Sequence, residues 1–319
     1  MTTSTHIIAV LALLCSSSVL AQSFPSKPLT ILNGFPAGGN VDTVSRQIAS
    51  KLEARLGQPV IVENRAGASG TIAGAAVARA QPDGYTLLFG VAANLAAGLA
   101  AMKNPPYDPA KAFTPIIEIA RGPYVLLVRA EAPAKTFPEF VAWVKANPGK
   151  LNYGSPGLGS VHHLTTGMLL QATGLDMVHV PYRGSPYLGL LGGDVHAMLE
   201  TMPGPIPFLQ SGKLGALAVT GPRRSAALPD VPTSAELGVP GIDANFWWGI
   251  VGPVGMPRAI VDRLNSELRL ALADPALQSI FQGWQIERTP GTPEAFGAHI
   301  AQEYERWKTI IAQSGLPLE

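Results

Sequence analysis

The chain has 319 residues, 47% of them hydrophobic and only 14% charged, with a formal net charge of +1. The length suits two domains or one large one. The near-neutral balance argues against a nucleic-acid binder, which carries a clear basic excess. Counts of 34 Gly and 29 Pro favour many short connections between strands and helices over a helical bundle.

Residues 1–21 read as a secretory signal. Ile7 to Leu14 form an apolar core, Ser16-Ser17-Ser18 a polar step, and Val19-Leu20-Ala21 fits the small-x-small rule for cleavage before Gln22. Met1 to His6 contain no Lys or Arg, so the usual positive start is missing, and the apolar run is short for a membrane span. The only cysteine, Cys15, lies inside this segment. Leu14 precedes it where a lipoprotein needs a small residue. The mature chain is therefore expected to lack disulfides and thiol chemistry. No later segment runs long enough without Gly, Pro or charge to span a bilayer.

Leu29-Thr30-Ile31-Leu32 suits a strand, and Val41, Val44, Ile48, Leu52 and Leu56 recur at helical spacing. Between them lies Gly34-Phe35-Pro36-Ala37-Gly38-Gly39-Asn40-Val41-Asp42. A glycine loop leading into a helix start offers unpaired N–H groups and the positive end of the helix dipole, an anion-binding device. The same local pattern also serves as a plain tight connection, with Asp42 as a helix-favouring residue of the first turn.

Pro59 to Val62 reads as a strand, Thr71 to Ala80 as an alanine-rich helix ended by Pro82-Asp83-Gly84, and Tyr85 to Phe89 as the next strand. This alternation predicts a parallel sheet with helices on both faces. Thr136 and Glu139 form a capping box for a helix reaching Asn147. After Leu151-Asn152-Tyr153 comes a second glycine turn, Gly154-Ser155-Pro156-Gly157-Leu158-Gly159-Ser160, then a helix to about Thr173 with Ser160 as its N-cap. Pro156 removes one N–H donor from that turn. Met177 to Val180, Ala197 to Leu199 and Leu214 to Val219 read as strands.

Beyond Gly241 the chain turns apolar and aromatic at Phe246 to Val251, then helical. Ile260, Leu264 and Leu268 mark one stripe, and Phe296, Ile300, Tyr304, Trp307 and Ile311 another, begun by Thr292-Pro293. Ligands of open α/β sheets bind beyond the carboxyl ends of strands, where both glycine turns fall.

Motifs for other chemistry are missing. There is no HExxH, CxxC or EF-hand spacing, no Walker A lysine, and no G-x-S-x-G elbow. His162 and His163 point to different faces of a helix, against a shared metal, and His162 as a base for Ser155 lacks an acid to orient it. No metal, cofactor or catalytic role is therefore expected. Arg65, Arg121 and Arg183 are candidate carboxylate partners. Trp247 and Trp248 suit either a pocket wall or the core.

Taken in order, Phe35-Pro36-Ala37-Gly38-Gly39-x-x-Asp42, Leu56-Gly57-Gln58-Pro59-Val60-x-Val62-Glu63-Asn64-Arg65, Gly67-Ala68-x-Gly70 and Pro82-Asp83-Gly84-Tyr85-Thr86-Leu87-Leu88 form a recurring set. It continues through Tyr107-Asp108-Pro109, Pro181-Tyr182-Arg183-Gly184, Gly212-Lys213-Leu214 and Leu228-Pro229-Asp230-Val231-Pro232-Thr233-x-x-Glu236 to Trp248-Gly249. The set resembles the Bug-type periplasmic solute-binding receptors of tripartite tricarboxylate transporters across essentially the whole mature chain.

The resemblance implies an α/β, two-lobed periplasmic binding protein of the type II-like, Venus-flytrap kind, with a cleft between lobes. Residues 22–121 with 245–319 would form one lobe and 122–244 the other. It implies capture of a small organic carboxylate, a membrane permease as partner, a periplasmic location and a monomer. Carried over residue by residue, ligand contacts fall on Phe35, Ala37, Gly38, Gly39 and Asp42 from one lobe. Ser155, Gly157, Gly159 and Ser160 answer from the other, with Tyr182 and Arg183 near the cleft. Glu200 stands where the family commonly has an aspartate, and Ala92-Ala93-Asn94 is unusually small, with Ala93 lining the cleft. A sensor feeding a two-component system is an alternative, and a secreted enzyme on the same scaffold a more distant one.

Overall fold

The computed structural model describes residues 24–182, 185–202, 204–239, 242, 244–284 and 286–314. The expected secretory signal, residues 1–21, lies outside them. In chain order the strands are β1 (Leu29–Asn33), β2 (Val60–Asn64), β3 (Thr86–Val91), β4 (Phe113–Arg129), β5 (Asn152–Ser155), β6 (Val178–Pro181), β7 (Ala197–Thr201), β8 (Leu214–Val219), β9 (Asn245–Pro253) and β10 (Glu287–Arg288). The helices are α1 (Asn40–Leu56), α2 (Thr71–Ala78), α3 (Ala92–Leu95), α4 (Ala97–Ala100), α5 (Pro109–Ala112) and α6 (Phe137–Lys145), followed by α7 (Val161–Thr173), α8 (Tyr187–Gly192), α9 (Ile206–Gln210), α10 (Arg258–Leu272), α11 (Pro275–Trp284) and α12 (Pro293–Ser314).

The strands make a ten-stranded sheet whose path runs β2-β1-β3-β9-β4-β7-β5-β6, with β8 and β10 off the path and pairing with β4. The parallel pairing expected from the alternation of strands and helices forms within each half. β1, β2 and β3 are parallel, as are β5, β6 and β7, but β9 runs antiparallel to β3 and β4, and β4 antiparallel to β7 and β8. The local βαβ grammar is right within each half, while the connecting strands run the other way.

β4 is the element that sequence patterning missed. Its 17 residues pair with β9 from Phe113 to Pro123, then with β7 and β8 from Tyr124 onward. One continuous strand thus passes from one half of the fold to the other. Its burial lacks a period of two, because Ile116, Ile117, Ile119 and Ala120 are all buried. Register shifts near Pro115 and Glu118 break the alternation that would mark a strand.

Each half has its own helical cover. In the first, Val44, Ile48 and Leu52 of α1 are buried with the strand residues Leu29, Ile31, Leu87 and Phe89. On α12, Phe296, Ile300, Trp307 and Ile311 are buried, as the stripe predicted. The expected caps form: Thr136 accepts from Glu139 N–H, Ser160 from His163 N–H at 3.2 Å, and Thr292 from Ala295 N–H at 3.2 Å.

Candidate functional site: two glycine turns at strand ends

The first turn leaves β1 at Asn33 and enters α1 at Asn40. Parallel pairing of β1 with β3 brings the end of β3, and Ala92 to Asn94 after it, to the same edge of the sheet. The approach is close. A Cβ on Gly34 would lie 2.5 Å from the Gly70 Cα, and one on Gly70 would lie 3.1 Å from the Asn94 amide and 3.2 Å from the Phe35 ring. Main chain therefore stacks on main chain at this edge, and only glycine fits at position 34.

Within the turn, several groups hold one another. The Phe35 N–H donates to Asn33 Oδ1 at 3.0 Å, and the Gly38 N–H to Asp42 Oδ2 at 2.9 Å. Asp42 also receives Arg46 Nε at 3.0 Å and Asn64 Nδ2 at 2.8 Å. Burial works to raise the Asp42 pKa, but the bonds from Arg46, Gly38 and Asn64 outweigh it and hold the carboxyl below its ordinary value. The Asp42 carboxylate is buried and shapes the turn from within. Pro36, Ala37, Gly38 and Gly39 stay exposed, and no side chain caps the start of α1 at Gly39. The first N–H groups of that helix have no intrahelical acceptor. The exposed tip is therefore a donor surface for an anion.

Two residues at this edge escaped the sequence reading. Asn33 and Asn94 are both fully buried, their carboxamide oxygens accept from Phe35 N–H and Val91 N–H, and among the described residues their Nδ2 groups find no acceptor. The signal was Asn33 at the carboxyl end of β1 and Asn94 three residues beyond that of its parallel neighbour β3. Ala93, between Ala92 and Asn94, is half-buried.

The second turn is more self-contained. Ser155 is fully buried at the end of β5. Its hydroxyl bonds the Gly157 carbonyl at 2.9 Å and His179 Nε2 at 2.7 Å, and Ser160 Oγ donates to the same carbonyl at 2.7 Å. The Gly159 N–H donates to His163 Nδ1 at 3.3 Å. The His163 and His179 rings stack 4.2 Å apart, with Tyr153 stacked against both. Burial lowers the pKa of both histidines; His179, next to His163, falls to about 4. His163 is thus buried and packs against His179 and Tyr153.

Tyr182 and Glu200 reach the same edge, because β6 and β7 run parallel to β5. The Tyr182 N–H donates to the Ser155 carbonyl at 2.9 Å. Glu200 is buried and accepts from Ser185 Oγ at 2.8 Å, Thr201 N–H at 2.8 Å and Thr201 Oγ1 at 3.1 Å, with His162 Nε2 at 3.3 Å. Burial pushes the Glu200 pKa up, while His162, Thr201 and Ser185 outweigh it, so the carboxyl sits below its ordinary value. Burial and the Glu200 charge raise the Tyr124 and Tyr187 hydroxyls, which therefore stay protonated.

Of the candidate arginines, Arg65 pairs with Glu63 at 2.6 Å, and Arg121 makes a two-pronged pair with Glu118 at 2.9 and 3.0 Å. Arg183 lies outside the described residues. Among the described residues, no hydrogen bond joins the first turn to the second, and no group of His, Cys, Asp or Glu is placed to hold a metal ion.

Two parallel-stranded α/β halves joined by long antiparallel strands, each ending in a glycine turn, make up the fold of a periplasmic binding protein. The chain belongs to the TctC family, the tripartite tricarboxylate transporter family receptors, whose model matches residues 44–316. It is 34% identical over 323 residues to protein BugT of Bordetella pertussis, covering 99% of each chain. It is also similar to the structure of R. palustris Rpa4515 with adipate, with a TM-score of 0.86 and 34% identity over 92% of this chain and 100% of that one. MatC from Rhodopseudomonas palustris with bound malate gives a TM-score of 0.83 and 32% identity over 90% of this chain and 100% of that one. The family is one of solute-binding receptors. Among the described residues no helix is long and apolar enough to cross a membrane.

Proposed function

We propose that the chain captures a small organic carboxylate in the periplasm, between its two glycine turns, and presents it to the membrane permease of a tripartite tricarboxylate transporter. The observation that carries this reading is the exposed tip from Pro36 to Gly39 at a helix start that no side chain caps. A carboxylate there meets main-chain donors and the positive helix end without any side-chain charge being needed. The adipate and malate in the two similar structures support a dicarboxylate of four to six carbons.

On this reading residues 22–121 with 245–319 are one lobe and 122–244 the other; the change of β4 from β9 to β7 and β8 at Pro123–Tyr124 supports a boundary close to residue 121. The first turn, with Ala93, belongs to one lobe. The second turn, Tyr182, Arg183 and Glu200 belong to the other. Closure around the acid supplies contacts that neither lobe makes alone.

The test is a thermal-shift screen of the mature chain against malate, adipate, other dicarboxylates and matched neutral diols. Binding to the native state raises apparent stability by mass action. A rise with at least one acid and none with its diol is expected. No rise with any carboxylate contradicts the proposal.

A further inference from the structure

His162 is the second residue of α7, two places beyond the second glycine turn. It does not serve Ser155, whose hydroxyl bonds His179. Its own partner is the buried Glu200, 3.3 Å from Nε2. The Glu200 oxygens also take the hydroxyls of Ser185 and Thr201 and the Thr201 N–H, so the carboxylate is fixed in place. A carboxylate only accepts, so the ring proton facing it sits on Nε2. In the neutral ring Nδ1 is then left with its lone pair. Nδ1 has no hydrogen-bond partner among the described residues, and it is not sealed off: the His162 side chain is 18% exposed.

A row of rings joins His162 to the edge that carries the first turn. His162 meets Tyr124 edge to face at 5.1 Å, Tyr124 meets Phe246 at 6.4 Å, and Phe246 meets Trp248 at 5.1 Å. Trp248 pairs in register with Val91, the last residue of β3, after which Ala92 to Asn94 follow. An oriented ring with one open acceptor therefore stands at the end of this row nearest the second turn.

We propose that His162 selects among the acids held by the two turns, by accepting at Nδ1 from a donor on the ligand's carbon chain, a hydroxyl or an ammonium. The inference rests on the carboxylate capture proposed above and narrows it to hydroxy or amino dicarboxylates. A second ligand carboxylate at Nδ1 would meet a lone pair with the Glu200 charge behind it, and both repel it. A hydroxyl or ammonium brings the hydrogen that this nitrogen lacks. Glu200 acts through His162, as the group that fixes its proton and its orientation.

The test is isothermal titration with malate, aspartate and succinate, which share one carbon skeleton and differ only in the donor. It is run at about pH 8, well above the ordinary imidazole value. Malate or aspartate is expected to bind about tenfold tighter than succinate, the effect of one hydrogen bond. A preference for malate alone assigns a hydroxyl, and one for aspartate alone an ammonium; each supports the proposal, as does a preference for both. His162→Phe keeps a ring against Tyr124 and removes both nitrogens, and the ratio to succinate is expected to fall to about one. His162→Met removes them too and serves should the first variant not fold. The readout is a ratio within one protein, so a general weakening of the site cancels. Succinate bound as tightly as both other acids by the wild type overturns the proposal, and so does a preference that survives the variant. Binding of none of the three overturns it as well, and reaches the carboxylate capture only if the thermal-shift screen is also empty.

Discussion

Asp42 Oδ2 accepts the Gly38 N–H at 2.9 Å, so a residue inside the first turn of α1 sets the shape of the loop that precedes it. With Arg46 and Asn64 on the same carboxylate, the loop tip is held open from behind. The brace ties down a segment with four exposed residues, Pro36 to Gly39, and so reduces the ordering that any ligand there would have to impose.

Asp42→Ala removes that brace. The Gly38 N–H, Arg46 and Asn64 lose their acceptor, and urea unfolding is expected to report a loss of about 1–3 kcal/mol. Because the folded pKa of Asp42 is depressed, its contribution is present above the unfolded value of 3.8 and disappears as pH falls below it. The variant should therefore narrow its stability gap to the wild type in acid.

Gly38 and Gly39 separate two roles that the sequence presents as one. Gly38 has φ +81°, a left-handed conformation, whereas Gly39 has φ −76° and ψ 171°, which any residue adopts. Gly38→Ala is expected to cost about 1–2 kcal/mol in denaturant unfolding, the left-handed penalty of an L residue. Gly39→Ala should fold as well as the wild type, with its nearest non-neighbour atom 3.6 Å from the new Cβ.

Most of the turns, caps and helical stripes were legible, because each rests on local chemistry: Ser160 and Thr136 as caps, the glycine turns after β1 and β5, the α12 stripe. What was not legible depends on distant partners. β4 carries no alternation because it changes partners along its length. The antiparallel direction of β9 leaves no trace in its apolar run. The bracing role of Asp42 depends on Asn64, 22 residues on, which donates to its other oxygen. His179, a strand residue like any other in the sequence, proved to be the partner of Ser155.

The histidine pair behind the second turn makes that turn acid-sensitive. Gly159 N–H is a donor only, so His163 Nδ1 must be unprotonated to accept it. The adjacent ring at 4.2 Å discourages charge on either. Both folded pKa values are depressed, so the wild type keeps full stability above the unfolded value of 6.5 and loses it as pH falls toward about 4. His179→Gln should flatten the fall in midpoint between pH 6.5 and 4 in denaturant titrations.

Glu200→Gln tests the far end of the second half. The carboxylate accepts from Ser185 and Thr201, and a carboxamide places an NH₂ against at least one of those donors. A loss of about 1–3 kcal/mol in unfolding free energy is expected. If Glu200 also shapes the ligand space, the ranking of acids in the thermal-shift screen should change between the two proteins.

On the proposed function, main-chain donors at the first turn hold the ligand carboxylate. Isothermal titration of wild type and Gly39→Val, with whichever of malate or adipate binds the wild type, tests it most directly. Gly39 has an ordinary backbone, and a Cβ there meets only the Pro36 carbonyl oxygen at 3.6 Å, an ordinary contact, so the valine is expected to leave the fold intact and block the approach to the helix start. The account predicts an unchanged unfolding midpoint without ligand and an affinity weakened by at least about tenfold, or about 1.4 kcal/mol. Equal affinity in the two proteins would contradict it.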